Sequence, residues 1–167
     1  METNVLMAKS PYLKDHQRLG NVISAIQVMG KCGFYKLDCA DWAKRITGNE
    51  NNADEWRVIF KEHPEFFRFG DGEVKAALVW RRSYRKRYNV KEERNLSFSE
   101  YSALSEEQKK DISRTPLTGD EIAVLIQTAI ELHSRAIEQN REYRWLSTPL
   151  LSILGGSIAA LIGWFSK

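Results

Sequence analysis

Cysteine and histidine are scarce in this chain, and their scarcity closes off several kinds of chemistry. Of 167 residues, two are cysteine and three are histidine. Cys32 and Cys39 match neither a zinc pair nor a Cys-x-x-Cys redox motif, and two are too few for a disulfide scaffold. Both read as reduced thiols. A nucleophilic enzyme needs a cysteine or serine held beside a histidine and an orienting group, and none of His16, His63 and His133 stands in such a context. Glu62 and Glu65 flank His63, but the segment ends a helix before Pro64, so they read as surface carboxylates rather than as a metal site or a dyad. Gly70-Asp71-Gly72 is too short for a phosphate loop and no Lys-Ser or Lys-Thr helix follows, so it reads as a turn. The expectation is a chain with no catalytic residues, no metal and no cofactor. An apolar run behind a positive start is also missing, since Met1 to Asp15 mixes charges, Asn and Pro, which argues against a cleaved signal peptide.

What the chain has instead is charge, unevenly spread. The net charge of +3 permits nucleic acid as a partner without indicating it. Seven of the 25 Lys and Arg fall between Arg81 and Arg94, against only Glu92 and Glu93. Arg81, Arg82, Arg85, Lys86 and Arg87, interleaved with Tyr84 and Tyr88, form a candidate patch for phosphate, lipid or a protein partner. A solvated edge of a hairpin is the plain alternative.

In the N-terminal half, Leu19, Val22, Ile23, Ile26 and Met29 recur at helical spacing and predict a helix closed by Gly30 and Gly33. A short extended run, Phe34 to Leu37, leads to Asp38, which can cap a helix through Trp42 and Ile46 that stops at Gly48. Asn52 with Glu55 resembles a capping box for a third helix, whose buried face is Trp56, Ile59 and Phe60. Two apolar runs on either side of Gly70-Asp71-Gly72 then predict a hairpin. This order, from Tyr12 to about Tyr88, resembles the winged-helix fold in layout rather than in a signature motif. The chain as a whole is similar to small uncharacterised bacterial proteins with a C-terminal hydrophobic tail, some of them labelled N-carbamoyl-amino-acid hydrolases. That label finds no support, because a two-metal amidohydrolase needs a set of His, Asp and Glu ligands on a much larger scaffold.

Residues 91–119 are polar and read as a connector of short helices and loops. Thr118 with Glu121 is a second capping box, opening a long amphipathic helix over 120–144. Ile122, Ile126, Ala129, His133, Ala136 and Asn140 follow heptad spacing, which fits either an oligomeric stalk or packing against the chain's own domain. Trp145 to Phe165 then carries 21 residues without a charge, enough as a helix for about 30 Å, the thickness of a bilayer core. The expectation is a transmembrane helix over 145–166, with Gly155, Gly156, Ala159, Ala160 and Gly163 as a helix-pairing face. Arg135, Arg141 and Arg144 upstream place the N-terminal domain in the cytoplasm and the chain, single-pass, in the inner membrane. Ser147, Thr148, Ser152 and Ser157 keep a buried core segment open as the alternative.

The predicted fold class is thus mainly α with a small β-hairpin: a winged-helix-like domain over 1–90, the connector, and a long C-terminal helix leading into one transmembrane helix. The expected function is a membrane-anchored cytoplasmic binding module, a sensor or adaptor rather than an enzyme. Its partners would be the membrane, a protein, a second copy of itself, or nucleic acid. Nucleic acid has the weaker support, because the third helix begins Asn51, Asn52, Asp54, Glu55, with two acids where phosphates would lie. The alternatives are an oligomerising, membrane-perturbing effector of the toxin or antiphage type and a membrane-tethered DNA-binding regulator.

Overall fold

The computed structural model describes residues 10–141. Helix α1, Arg18–Lys31, buries Val22, Ala25, Ile26 and Met29 along the stripe that the spacing predicts. The chain turns through Cys32 and Gly33 into strand β1, Lys36–Asp38, and Asp38 caps helix α2, Cys39–Thr47, by accepting a hydrogen bond from the Asp41 amide at 2.8 Å. Gly48 ends α2 in the left-handed conformation, φ 77°, which costs a residue with a Cβ more than it costs glycine. Helix α3, Ala53–Glu62, buries Trp56, Ile59 and Phe60. Its start differs from expectation. Asn52 makes no capping bond, and the side chain of Asn49 instead accepts from the Asn51 amide ahead of the helix.

Strand β2, Phe67–Phe69, and strand β3, Lys75–Leu78, are joined through the glycine turn, with Gly72 at φ 76°. Strand β1 pairs antiparallel with β3 on the side away from β2, so the first sheet has three strands in the order β1-β3-β2. Its inner face, which includes Phe67, Ala76 and Leu78, closes the core against the helices. Trp42, fully buried, donates from Nε1 to the Ala76 carbonyl at 3.0 Å and pins α2 to β3.

A second sheet follows, built from strand β4, Lys86–Asn89, strand β5, Arg94–Asn95, and strand β6, Ile112–Arg114, in the order β5-β4-β6. Between β5 and β6 lies helix α4, Phe98–Ala103, opened by a capping box of Ser97 and Glu100. Residues 119–141 form helix α5, whose start carries the expected box: the Glu121 amide donates to Thr118 Oγ1 at 3.2 Å, and the Thr118 amide donates to Glu121 Oε2 at 2.8 Å.

The predicted fold class is therefore corrected. The described chain is mixed α/β with two three-stranded antiparallel sheets, not a mainly α, winged-helix-like chain with one hairpin and a membrane helix. The second sheet escaped notice because its strands are two to four residues long and rich in charge, so no apolar alternation announces them. The heptad seam is explained by α5 lying on its own domain: Ile122, Leu125, Ala129 and Ala136 are buried there, with Ile126 and Leu132 packed beside them. Gly30 on α1 makes this approach close, since a Cβ there would sit 2.9 Å from Ile122 Cγ1.

The membrane reading is corrected as well. No helix among the described residues is long and apolar enough to cross a membrane. Helix α5 displays Asp120, Glu131, Arg135, Glu138 and Arg141 on exposed positions. The stretch 145–166, where the span was expected, and the pairing face Gly155, Gly156, Ala159, Ala160 and Gly163 lie outside the described residues. That stretch is uncharged, but its serines, threonine and glycines make it less apolar than its length implied. Among the described residues, a tail anchor and a single-pass place in the inner membrane therefore have no helix to carry them.

Candidate anion-binding cleft

The fold divides the basic run that looked continuous in sequence. After β3 the chain enters a 3-10 turn, Trp80–Ser83, which turns Arg81 inward and leaves Arg82 exposed. Arg81 has no exposed surface. Its guanidinium donates to the carbonyls of Met29, Cys32 and Gly33 at 2.8, 2.5 and 3.0 Å, to that of Arg114 at 2.5 Å, and more weakly to that of Phe34 at 3.4 Å. Burial lowers its pKa from 12.5 to about 10, which still leaves it a cation at neutral pH. As a member of a surface patch Arg81 is corrected: it ties the end of α1 to β6 through Nη1 and Nη2, while its Nε is buried without a partner among the described residues.

Arg82 instead joins cations from other parts of the chain. In the first sheet Lys36 of β1 and Arg68 of β2 both stand opposite Ala77 of β3, one on each side. Direct cross-strand partners share a face, so the two cations flank a small side chain on the outer face of the sheet. Phe67 and Phe69 turn the other way, because neighbours along a strand alternate. Arg82 from the turn after β3 and Arg114 from the end of β6 complete a cleft of about 160 Å³, walled also by Tyr35, Phe69 and Gly70. A side chain at position 70 would collide with the Lys36 ammonium, so glycine there lets the lysine lie against the backbone.

Arg114 is held in place by its own donors. Its Nη1 donates to the Arg82 carbonyl at 2.7 Å and to the Tyr84 carbonyl, and its guanidinium lies 5.0 Å from the Tyr35 ring centre. Its Nε is buried without a partner among the described residues. No ion pair joins Lys36, Arg68, Arg82 or Arg114 to a carboxylate among the described side chains. The cleft therefore holds four positive charges and no described counter-charge. Lys86 stands opposite Arg114 across β4 and β6, next to an irregularity in the pairing and outside the lining of the cleft.

No family model, curated protein or solved structure matches this chain. The site thus rests on geometry alone. Of the sequence-expected residues, the fold brings Arg82 to the cleft, pairs Lys86 across the strands with Arg114, and leaves Arg85 exposed. Arg87 is half-buried, its guanidinium 5.4 Å from the ring centre of Phe98. Lys36, Arg68 and Arg114 were missed. Only Arg68 left a trace, as a cation between two phenylalanines on a short strand.

The other candidates sort themselves. Burial pushes the Cys39 thiol above its ordinary pKa, which makes it a poor nucleophile at neutral pH. Among the described residues no group of three or more His, Cys, Asp or Glu could hold a metal. His63, which follows the end of α3, is fully buried with its Nδ1 3.0 Å from Glu65 Oε1. The two side chains are thus paired in the fold, with the Glu65 carboxylate itself at the surface.

Proposed function

We propose that the chain is a binding module that grips the phosphate backbone of a nucleic acid in the cleft between its two sheets, without reading sequence. The observation that carries this is the convergence of Lys36, Arg68, Arg82 and Arg114 on one small cleft with no described carboxylate among them. Lys36 and Arg68 are two strand spacings apart, about 10 Å. Like charges at that distance repel by about 0.4 kcal/mol in water and by about 1.7 kcal/mol at an effective dielectric near 20. Each such pair is a standing cost that one bound oxyanion removes.

Size and surroundings favour a phosphate within a chain. Pockets for whole small molecules start near ~300 Å³, so a cleft of about 160 Å³ takes a group rather than a molecule. Lys86, exposed and opposite Arg114 across β4 and β6, and its exposed chain neighbour Arg85 supply cations for neighbouring phosphates. Helix α3 supplies no base readout, since its first turn carries Asp54 and Glu55. Contacts to phosphate position a duplex or a strand without specifying its sequence.

The test is fluorescence anisotropy of the full-length chain with short labelled single strands and duplexes of varied sequence, across about 50 to 200 mM salt. Affinity should fall steeply with salt and hardly vary with sequence. Arg68→Glu and Arg82→Glu should each weaken binding by about tenfold or more, and lower the salt slope by about one. Unchanged binding in both variants, or competition by polyglutamate as effective as by nucleic acid, would rule out a phosphate-binding cleft.

A further inference from the structure

Helix α5 turns a second stripe to the solvent, about 100° round the helix from the one it buries. Ala123, Ile130 and Ile137 stand seven residues apart and are all exposed, Ile130 by 38% and Ile137 by 40%. A step of seven falls only about 20° short of two full turns, so the three form one line along the helix. Beside it runs a second line at the same spacing, Asp120, Gln127, Ser134 and Arg141, again exposed throughout. Taken together the two lines alternate by three and four residues, which is the seam along which two helices pack.

The polar line has a direction. It reads acid, amide, hydroxyl, base from the start of α5 towards its end, and neither Asp120 nor Arg141 forms an ion pair among the described residues. Two copies paired in parallel would set Asp120 against Asp120 and Arg141 against Arg141. Turning one copy end for end about Ile130 brings like flanks together and reverses the order of each line. Ile130 then meets Ile130 of the other copy, Ala123 meets Ile137, Gln127 lies beside Ser134, and Asp120 lies beside Arg141, each of the last three contacts occurring twice. The face is thus complementary to itself, as a twofold interface requires. Opposed directions also set the positive end of each helix dipole beside the negative end of the other.

We propose that this face of α5 is a homodimer interface, occupied by a second copy of the chain in antiparallel register about Ile130. It is distinct from the stalk that the heptad spacing suggested, because the seam containing Ile122, Ala129 and Ala136 is spent on the chain's own domain and the dimer uses the exposed seam beside it. One helix pair with three apolar side chains from each copy is a small interface, and small interfaces make weak, reversible complexes, so monomer and dimer exchange with concentration.

The experiment is sedimentation velocity of the full-length chain from about 1 to 500 µM, which should show a monomer–dimer equilibrium. Ile130→Glu sets two carboxylates face to face on the twofold axis and should abolish the dimer. Asp120→Arg and Arg141→Asp each turn both end pairs into like charges, and each should weaken dimerisation by about tenfold or more at low salt. The double variant restores opposite charges at both ends and should recover most of the parent's affinity. All of these positions are exposed, so each variant should keep the helical circular dichroism of the parent. The proposal is overturned if the chain is monomeric over the whole range, the result expected if another segment of the same chain covers this face. It is overturned equally if Ile130→Glu dimerises as the parent does, if either charge reversal leaves the equilibrium unchanged, as parallel pairing or a different surface would, or if the double variant stays as weak as the single ones. None of the three positions lines the basic cleft, so its own test is decided separately.

Discussion

Replacing Arg81 by methionine tests the account of how the two sheets are held together. The buried guanidinium makes four donor contacts of 3.0 Å or less to the carbonyls of Met29, Cys32, Gly33 and Arg114. Hydrogen bonds to a charged group contribute about 1.5 to 3 kcal/mol each, and removing an ion from water costs several kcal/mol, so the net gain from placing Arg81 there is modest. Truncation is another matter. Methionine fills much of the volume but donates nothing, leaving several buried carbonyls unpaired at about 1 to 3 kcal/mol apiece before relaxation. Partial relaxation brings the expected loss to about 3 to 5 kcal/mol, a large share of the ~5 to 15 kcal/mol by which a domain is stable. Urea denaturation at neutral pH, followed by tryptophan fluorescence, should show the midpoint fall accordingly. Arg81→Lys should lie between parent and Arg81→Met, since a single ammonium cannot reach both the end of α1 and β6 as a planar fork does. A loss below about 1 kcal/mol in Arg81→Met would refute the reasoning, because it would mean that those carbonyls find other donors.

Two further outcomes follow from local geometry. Gly48→Ala should destabilise the fold by about 1 to 2 kcal/mol, because φ 77° puts a Cβ against the backbone; a thermal shift of the opposite sign would show that the α2 terminus is not held left-handed. Glu65 should contribute to acid sensitivity. Its folded pKa lies below the ordinary 4.5, so its contribution is complete above that value and is lost as pH falls through the lower, folded one. Urea midpoints of the parent should therefore drop more steeply on acidification than those of Glu65→Gln, and parallel curves would remove Glu65 from the account.

Local signals in the chain proved sufficient for individual elements. The apolar stripe of α1, the Asp38 cap, the glycine that ends α2, the buried face of α3 and the Thr118–Glu121 box all depend on residues within a few positions of one another, and each stands where its spacing places it. Capping and amphipathicity are short-range physics, and a sequence displays them directly. The pairing of β1 with β3, the second sheet and the seat of α5 against α1 join residues far apart along the chain, and strands this short and charged carry no periodicity to betray them. The same division governs the sites. A run of arginines shows positive charge, but only the turn after β3 decided that Arg81 goes inside and Arg82 out, and only strand register set Lys36 and Arg68 about one another. His63 and Glu65 are two residues apart in sequence, yet only packing decided that the imidazole is buried while the carboxylate beside it stays exposed and accepts from the Tyr12 hydroxyl. Charge and propensity are properties of residues; burial and convergence are properties of the packed chain, and there the tertiary structure alone decided.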